Sequence, residues 1–286
     1  MRYERPQTIE DATALMAGAE ANAFVLAGGT DLLVRMQSDA FEADLIVDIK
    51  AISGIDEITQ TESEFVIGAA VPSAALSEDA ALVAAWPGVV EAANLIGSTQ
   101  IQGRCTIVGN LCNASPAADS VPALVAAEAR ARIAGPSGTR EVAIADVPTG
   151  PGKVSLSKGE IIEAVLLPKP EPRSADAYLR FIPRTEMDIA VVGAAVNLSL
   201  DDDGKISAAR VALGAVAPKV LLVEEAAEAL VGSKLDEAAL EALAVACSNA
   251  SNPIDDKRGT VEYRKEVAGV LARRAAQTAY ARAGEN

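Results

Sequence analysis

The sequence predicts a protein of two domains in which strands and helices are mixed. Its 286 residues are enough for two hydrophobic cores, and half of them are hydrophobic. Residues 168–172, Pro-Lys-Pro-Glu-Pro, are too rich in proline to continue a helix or a strand, so the domain boundary is placed there. Helix and strand patterns alternate before this segment, whereas a run of strands precedes a run of helices after it.

Local patterns place the elements of the first domain. Thr8, followed by Asp11 and by apolar residues at helical spacing, predicts a capped first helix. Apolar runs bounded by turn residues predict strands at residues 23–26, 45–49, 64–67, 129–134, 140–144 and 161–167. Helical patterns predict further helices at residues 74–86, 89–96 and 120–127. Pro87 separates the first two of these, because proline breaks a helix interior.

The second domain is predicted as an antiparallel meander followed by helices. Its predicted strands are residues 178–182, 190–200 and 206–216, and its predicted helices are residues 224–230, 236–248 and 261–282. Residues 201–204, Asp-Asp-Asp-Gly, superficially resemble a calcium loop. They lack its other ligand positions and its terminal glutamate, so we interpret them as a hairpin turn.

Composition excludes several classes of partner. A formal net charge of -15 disfavours nucleic acid and anionic membrane surfaces. No apolar run reaches the roughly 20 residues that cross a bilayer. Residues 1–5, Met-Arg-Tyr-Glu-Arg, are not followed by an apolar signal region. We therefore expect a soluble, cytoplasmic protein without a membrane span.

The chain contains no histidine, which excludes a Ser-His-Asp relay, an imidazole base, histidine-ligated zinc and a flavin tethered through imidazole. Its three cysteines are too few for a four-thiolate iron-sulfur cluster and lack CxxC spacing. Cys105 and Cys112 flank a glycine-bearing stretch. A cysteinyl-flavin bond is one interpretation of them, and two buried free thiols are the commoner one. No metal site is predicted.

Two glycine-bearing stretches point to a phosphate-bearing cofactor. They are residues 25–32, Val-Leu-Ala-Gly-Gly-Thr-Asp-Leu, and residues 106–110, Thr-Ile-Val-Gly-Asn. Glycine allows positive φ and a close approach of backbone amides to an anion, and Thr30 and Thr106 add hydroxyl groups. Neither stretch has the GxGxxG pattern or the pattern GxxxxGK followed by Ser or Thr. A Rossmann site and a Walker loop are therefore disfavoured.

The first stretch is also typical of an ordinary turn between a strand and a short helix that ends at Met36. In that interpretation Thr30 or Asp31 caps the helix. A second small-residue stretch in the same domain favours the functional interpretation. Both stretches would then hold one diphosphate without a lysine or an arginine.

Several charged residues, inside and outside these stretches, have two interpretations each. Asp119 precedes Ser120 at a helix start, so a helix cap and a hydrogen bond to a ribityl or ribose hydroxyl both explain it. A cap explains Asp31 better than acid-base chemistry does. Residues 255–258 and 273–274 are either a partner-docking surface or solvated charges at helix ends, and the second interpretation is the default.

Together, these motifs resemble the medium, FAD-binding subunit of the molybdenum hydroxylases, the family of carbon monoxide and xanthine dehydrogenases. The first stretch resembles the family's AGGTDLL loop, and the second its TIGGN loop followed by N-A-S-P-x-x-D. Residues 252–264, Asn-Pro-Ile-Asp-Asp-Lys-Arg-Gly-Thr-Val-Glu-Tyr-Arg, resemble the closing signature P-x-x-D-x-R-x-x-x-E-Y-R. The resemblance covers nearly the full length.

The resemblance implies an α+β fold: a two-lobed FAD-binding domain of the PCMH type over residues 1–171, then a carbon monoxide dehydrogenase flavoprotein C-terminal domain over residues 172–286. The second domain would hold a three-stranded antiparallel sheet and a helical bundle. The implied cofactor is non-covalent FAD. The implied partners are a large molybdenum-cofactor subunit and a small iron-sulfur subunit, assembled as a dimer of heterotrimers.

Carried over by position, the resemblance also implies the FAD-binding residues. Those for the pyrophosphate and the adjoining sugar are Leu26, Ala27, Gly28, Gly29, Thr30, Asp31, Leu32, Thr106, Val108, Gly109 and Asn110. Those for the rest of the cofactor are Asn113, Ala118 and Asp119 along its path, Ile96 and Ile101 against its flat parts, Ile161 and Ile162 at the adenine end, and Arg180 and Ile189 near the flavin. Three positions depart from relatives, which often have glycine for Val108, and in some cases an aromatic residue for Ile189 and lysine for Arg180.

The function implied is that of an electron-transfer subunit in an oxidoreductase. It would take electrons from the partner's iron-sulfur clusters and pass them through the flavin to an external acceptor. No side chain is assigned as acid, base or nucleophile, because the flavin supplies the chemistry. One alternative is a self-sufficient flavoprotein oxidase or reductase acting on a small substrate, which the short second domain disfavours. Another is a non-enzymatic module that senses a nucleotide.

Overall fold

A parallel sheet forms the N-terminal lobe of the first domain in the computed structural model, which describes residues 1–20, 22–38 and 40–286. The elements of this lobe are Arg2–Glu4 (β1), Ile9–Gly18 (α1), Ala23–Leu26 (β2), Leu32–Gln37 (α2) and Leu45–Asp48 (β3). β3 lies between β1 and β2 and runs parallel to both. The cap predicted for α1 is confirmed, because the Thr8 hydroxyl accepts a hydrogen bond from the Asp11 amide at 3.1 Å.

The second lobe is an antiparallel sheet covered by short helices. Its strands are Ile58–Gln60 (β4), Glu64–Gly68 (β5), Arg130–Gly135 (β6), Gly138–Ala143 (β7), Pro148–Gly150 (β8), Lys153–Val154 (β9) and Ile161–Pro168 (β10). Its helices are Ser73–Glu78 (α3), Ala80–Ala85 (α4), Pro87–Asn94 (α5), Thr99–Gln102 (α6), Ile107–Cys112 (α7) and Ser120–Ala126 (α8). The sheet order is β4-β5-β10-β6-β7, and β8 pairs with β9 separately. Ile67, Leu124, Ile133 and Leu167 are fully buried in its core.

The helix predicted over residues 74–86 is wrong in one respect, because it is divided into α3 and α4. Asp79 ends α3 and caps α4, since its carboxylate accepts a hydrogen bond from the Leu82 amide at 2.9 Å. A carboxylate at this position competes with helix continuation. Pro87 is the first residue of α5, where its missing N–H costs nothing.

The second domain confirms the predicted order of strands and then helices. Its elements are Ser174–Phe181 (β11), Val192–Leu200 (β12), Ile206–Gly214 (β13), Leu221–Leu222 (β14), Glu224–Glu228 (α9), Glu237–Ala250 (α10) and Val261–Glu285 (α11). The sheet is antiparallel in the order β11-β12-β13-β14, so a two-residue strand extends the expected three. The turn predicted at residues 201–204 is confirmed, with the Asp201 carboxylate accepting from the amides of Asp203 and Lys205.

Alanines at helical spacing let α11 pack against this sheet. Ala268, Ala272, Ala275 and Ala279 are fully buried, in one core with the apolar residues of β12. Small side chains allow a helix to approach a sheet closely. No helix within the described ranges is both long enough and apolar enough to cross a bilayer.

A polar row on β11 joins the two domains. Asp176, Tyr178 and Arg180 occupy alternate positions of the strand, so their side chains lie on one face. The Asp176 carboxylate accepts hydrogen bonds from the amides of Gly88 and Val89, both at 2.9 Å, at the start of α5. This residue of the second domain thereby satisfies the N-terminal end of a helix in the first. We call these three residues the β11 row.

The sheet of the second domain also satisfies the C-terminal end of α8. Asn197 donates from Nδ2 to the carbonyl oxygen of Ala126 at 3.3 Å. Arg210, the cross-strand neighbour of Asn197, donates from Nη2 to the carbonyl oxygen of Val125 at 3.3 Å. The last carbonyl groups of a helix have no partner within it, so these contacts fix α8 against the second domain.

We predict that Asp176→Asn flattens the pH dependence of stability between about pH 4 and pH 7. Burial raises the pKa of the Asp176 carboxyl from 3.8 to about 7; nearby Glu91 adds to this rise, whereas the amides of Gly88 and Val89 and the charge of Arg282 oppose it. In this window the folded chain therefore binds more protons than the unfolded chain, and the free energy of unfolding falls as pH rises.

Urea unfolding of the original protein and of Asp176→Asn at several pH values measures the pH dependence of the free energy of unfolding. The carboxyl of Asp202 is fully exposed, so Asp202→Asn is the matched control and should keep the slope of the original protein. An unchanged slope in Asp176→Asn would show that this carboxyl is ionised in the folded protein throughout the window.

Candidate functional site

A cavity of about 540 Å³ opens between the two lobes of the first domain. Three segments form most of its wall: residues 27–32 between β2 and α2, α7 with the residues on either side of it, and residues 156–162 leading into β10. Small-molecule and cofactor sites usually enclose about 300–1,000 Å³. The cavity is therefore large enough for a cofactor and brings both glycine-bearing stretches into one wall.

Gly28 brings the first stretch against the residues just before the second. A Cβ atom at this position would overlap the carbonyl oxygen of Arg104 and lie 2.8 Å from its carbonyl carbon. Only glycine permits this approach of one backbone to another. Gly29 has φ of +76°, a conformation that other residues rarely adopt. The first stretch therefore sits directly against the residues that lead into α7.

The second stretch is the first turn of a helix and not the loop that the resemblance implies. Thr106 is the N-cap of α7, and its Oγ1 accepts a hydrogen bond from the Gly109 amide at 2.8 Å. A Cβ at Gly109 would lie 2.9 Å from that oxygen. The cap explains both the threonine and the glycine, although the residues still belong to the cavity wall.

Asn110 connects this turn to α8. Its Oδ1 accepts hydrogen bonds from the amide of Ser120 at 3.2 Å and from the Ser120 hydroxyl at 2.8 Å. The side-chain oxygen of Asn110 is thus hydrogen-bonded within the protein, while the residue also lines the cavity. Asn110 fixes the position of α7 relative to the start of α8.

Residues 156–160, the first part of the third segment, are not among the residues that the sequence indicates. Glu160 accepts two hydrogen bonds from Arg140, at 2.7 and 2.8 Å, and one from the Ser157 amide at 2.7 Å. Gly159 has φ of +87°, and a Cβ there would lie 2.8 Å from a side-chain atom of Ala17. The hydrogen bonds of Glu160 and the packing of Gly159 against Ala17 therefore both fix this segment. A charged residue before a glycine, directly ahead of a strand, is the local turn signal that could have indicated it.

Charged side chains of both signs belong to the wall, although the sequence favoured a site without cations. They are Glu20, Asp31, Arg35, Lys158 and Glu160. Burial raises the pKa of Asp31, and the positive charge of Arg35 opposes that rise. The Arg140 hydrogen bonds lower the pKa of Glu160 to about 2. Asp31 makes no side-chain hydrogen bond to α2, so its predicted role as a helix cap is wrong.

Most residues expected to contact the cofactor lie in this wall. They are Ala27, Gly28, Gly29, Thr30, Asp31, Leu32, Ile96, Thr106, Val108, Gly109, Asn110, Asn113, Ile161 and Ile162. Among the described residues, the wall does not include the others, which are Leu26, Ile101, Ala118, Asp119, Arg180 and Ile189. Leu26 and Ala118 are buried, and Ile189 is 53% exposed. Their assignment to the cofactor stays a prediction.

Asp119 and Arg180 form a buried ion pair beside the cavity. Arg180 donates from Nη1 to the Asp119 carboxylate at 2.7 Å and to the carbonyl oxygen of Leu95 at 2.8 Å, next to Ile96 of the wall. Tyr178 donates to the same carboxylate at 3.2 Å. Burial raises the pKa of Asp119 to about 6, although Arg180 and Tyr178 oppose this. Asp119 makes no cap hydrogen bond to α8, so that interpretation is wrong.

Two of the three cysteines, Cys105 and Cys112, lie in the cavity wall. All three are unpaired, and Cys105 lies 3.1 Å from the Ser73 hydroxyl. Burial raises the pKa of Cys112 to about 12 and also raises that of Cys105, so both are neutral thiols near pH 7. Within the described ranges, no group of three or more carboxylate or thiol residues is placed to hold a metal ion.

The closing signature stabilises the second domain. Arg264 is buried and donates from Nη1 to the carbonyl oxygen of Val191 and from Nη2 to the carboxylate of Asp256, both at 2.7 Å. Arg258 lies 3.5 Å from the carboxylate of Asp188, beside Ile189. These contacts within the chain give Asp256, Arg258 and Arg264 of the signature a structural role.

Comparisons with known proteins cover nearly the whole chain. Residues 1–170 match the family model described as the FAD binding domain in molybdopterin dehydrogenase, and residues 177–279 match the CO dehydrogenase flavoprotein C-terminal domain. The carbon monoxide dehydrogenase medium chain of Afipia carboxidovorans is 34% identical over 281 residues, which are 98% of this chain and 97% of the relative. The xanthine dehydrogenase FAD-binding subunit of Escherichia coli O157:H7 is 32% identical over 284 residues, 99% of this chain and 97% of the relative.

A solved structure gives the same result for the fold. Reconstituted CO dehydrogenase from Oligotropha carboxidovorans superposes with a TM-score of 0.94 at 34% identity, over 99% of this chain and 98% of that chain. The α+β fold, with a cofactor domain followed by an antiparallel sheet and helices, is thereby confirmed.

Proposed function

The chain belongs to the FAD-binding medium subunits of the molybdenum hydroxylases, and from this premise we propose that it carries electrons from a partner subunit to an external acceptor. The observation that carries the proposal is the cavity in which the two glycine-bearing stretches meet. FAD is the cofactor, and this chain is a subunit of an oxidoreductase. Bound FAD supplies the redox chemistry, since a flavin exchanges electrons singly and in pairs.

The wall of the cavity suits the two parts of this cofactor. The backbone around Gly28 and the first turn of α7 offer small residues where a diphosphate needs close approach. The Thr106 hydroxyl uses its oxygen to accept a hydrogen bond from the Gly109 amide and still has a proton that it can donate. Ile96, Val108 and Ile161 supply apolar surface for the flat rings. These residues bind and orient the cofactor and exclude water from it.

The proposal places the other redox centres on partner chains. This chain has no histidine and three cysteines, which is too few for an iron-sulfur cluster. We propose a large molybdenum-cofactor subunit and a small iron-sulfur subunit as partners, in a dimer of heterotrimers located in the cytoplasm. The domain boundary proposed at residues 171–172 falls between β10 and β11.

Reconstitution of the purified chain with FAD tests this function. We expect a yellow protein that dithionite bleaches and that a quinone dye reoxidises, without turnover of a small substrate by the chain alone. A chain that takes up no FAD would overturn the proposal. Turnover of a defined substrate by the isolated chain would instead favour a self-sufficient flavoprotein.

A further inference from the structure

We propose that Lys158 is a specificity residue of the cavity, which pairs with the phosphate on the adenosine side of the bound dinucleotide. The inference rests on the proposed placement of FAD in this cavity. It adds a cationic contact where the sequence pattern favoured a diphosphate held by backbone alone. The ligand class is therefore a dinucleotide with a bridging diphosphate.

The positive charges of the wall differ in whether they have a partner. Lys158 is exposed and makes no ion pair or hydrogen bond with another described residue. The other positive charge of the wall, Arg35, faces Asp31 and also stacks over the ring of Phe41, 5.1 Å from its centroid. The Glu160 carboxylate forms an ion pair with Arg140. Lys158 is thus the cation in the described wall that has no such partner.

The backbone is held in place on both sides of Lys158. The Ser157 amide is fixed by the Glu160 carboxylate, which the Arg140 guanidinium holds in turn. Gly159 has positive φ and packs against Ala17 of α1, so the chain cannot move toward that helix. A lysine whose backbone is held at the cavity can use its flexible stem to reach an anion.

The other charges of the wall favour a cation beside a bound phosphate. Glu20 and Asp31 bring negative charge to the same wall, and a diphosphate would add more. An ammonium group offsets this repulsion and binds phosphate as a point charge. Lys158 lies three residues before Ile161, where the resemblance places the adenine, so we assign its ammonium group to the phosphate on the adenosine side.

Equilibrium binding of FAD, ADP and riboflavin to the full chain tests this inference. Lys158→Gln should lower the affinity for FAD and for ADP about 3- to 10-fold. It should also make FAD binding less sensitive to salt, because one charge pair is lost. Riboflavin, which has no phosphate, should bind as before. Lys158→Arg should keep most of the affinity. Lys153→Gln removes the same charge from an exposed position of β9 outside the wall and is the matched control.

The outcomes separate this inference from the proposed function. If the original protein binds FAD and Lys158→Gln binds it equally well, with the same salt dependence, Lys158 does not contact the phosphate. An equal loss of riboflavin affinity would assign the effect to the fold of the segment and would also overturn the inference. If the original protein binds no FAD at all, the cofactor placement and this inference both fail.

Discussion

Gly28→Ala is expected to weaken FAD binding by at least about 100-fold, because a clash of roughly 3 kcal/mol translates into about that ratio. The added Cβ would overlap the carbonyl oxygen of Arg104, and neither partner is the flexible end of a side chain. Relief of the clash requires the turn after β2 to separate from the start of α7. That movement opens the part of the cavity where the two stretches meet.

The measurement is the FAD dissociation constant from titration of the purified variant, with circular dichroism to check that the protein is folded. Gly103→Ala is the matched control, because a Cβ at Gly103 meets no atom within 4 Å and the residue has an ordinary φ of -70°. Gly103 also lies close in sequence to the second stretch. Wild-type FAD affinity in Gly28→Ala would show that cofactor binding does not depend on this close approach.

Arg180→Met is expected to destabilise the protein by about 3–5 kcal/mol, the usual consequence of removing one partner from a buried ion pair. The Asp119 carboxylate would stay buried with Tyr178 as its remaining side-chain partner, and the Leu95 carbonyl would lose its donor. Since Leu95 precedes Ile96 of the cavity wall, we expect FAD affinity to fall as well.

A double-mutant cycle measures this coupling by urea unfolding. Asp119→Asn combined with Arg180→Met should recover part of the lost stability, because no charge is then left buried. Arg184→Met, which breaks an ion pair at a side chain that is 69% exposed, is the control and should cost about 1 kcal/mol or less. Stability losses that simply add in the double variant would contradict a coupled pair.

The first glycine-bearing stretch could be predicted because its causes are local. An apolar run indicates β2, and the glycine pair indicates the turn that follows. The resemblance implies a loop for the second stretch, although the local signal indicates the start of a helix. Thr106 stands three residues before Gly109, the spacing of a threonine cap to a helix amide. This spacing alone indicates a helix that begins after Thr106.

For the third segment of the wall, a local signal indicates a turn before β10, but not that this turn lies at the cavity. Its conformation depends on Arg140 in β7 and Ala17 in α1, which are distant in sequence. The same holds for Asp119 and Arg180, whose pairing is visible only once β11 lies beside α8. Periodicity describes which face of a strand is polar, but it does not say which residue of another domain meets that face.

The β11 row implies that a fragment ending in the proline-rich segment would not be an autonomous flavin-binding unit. Such a fragment would lose the acceptor for the Gly88 and Val89 amides and the partner of Asp119. The two sequence domains should therefore melt together, in a single cooperative transition. A chimera that takes its second domain from a relative should fold only where that relative carries the same hydrogen-bonding groups at the positions of the β11 row.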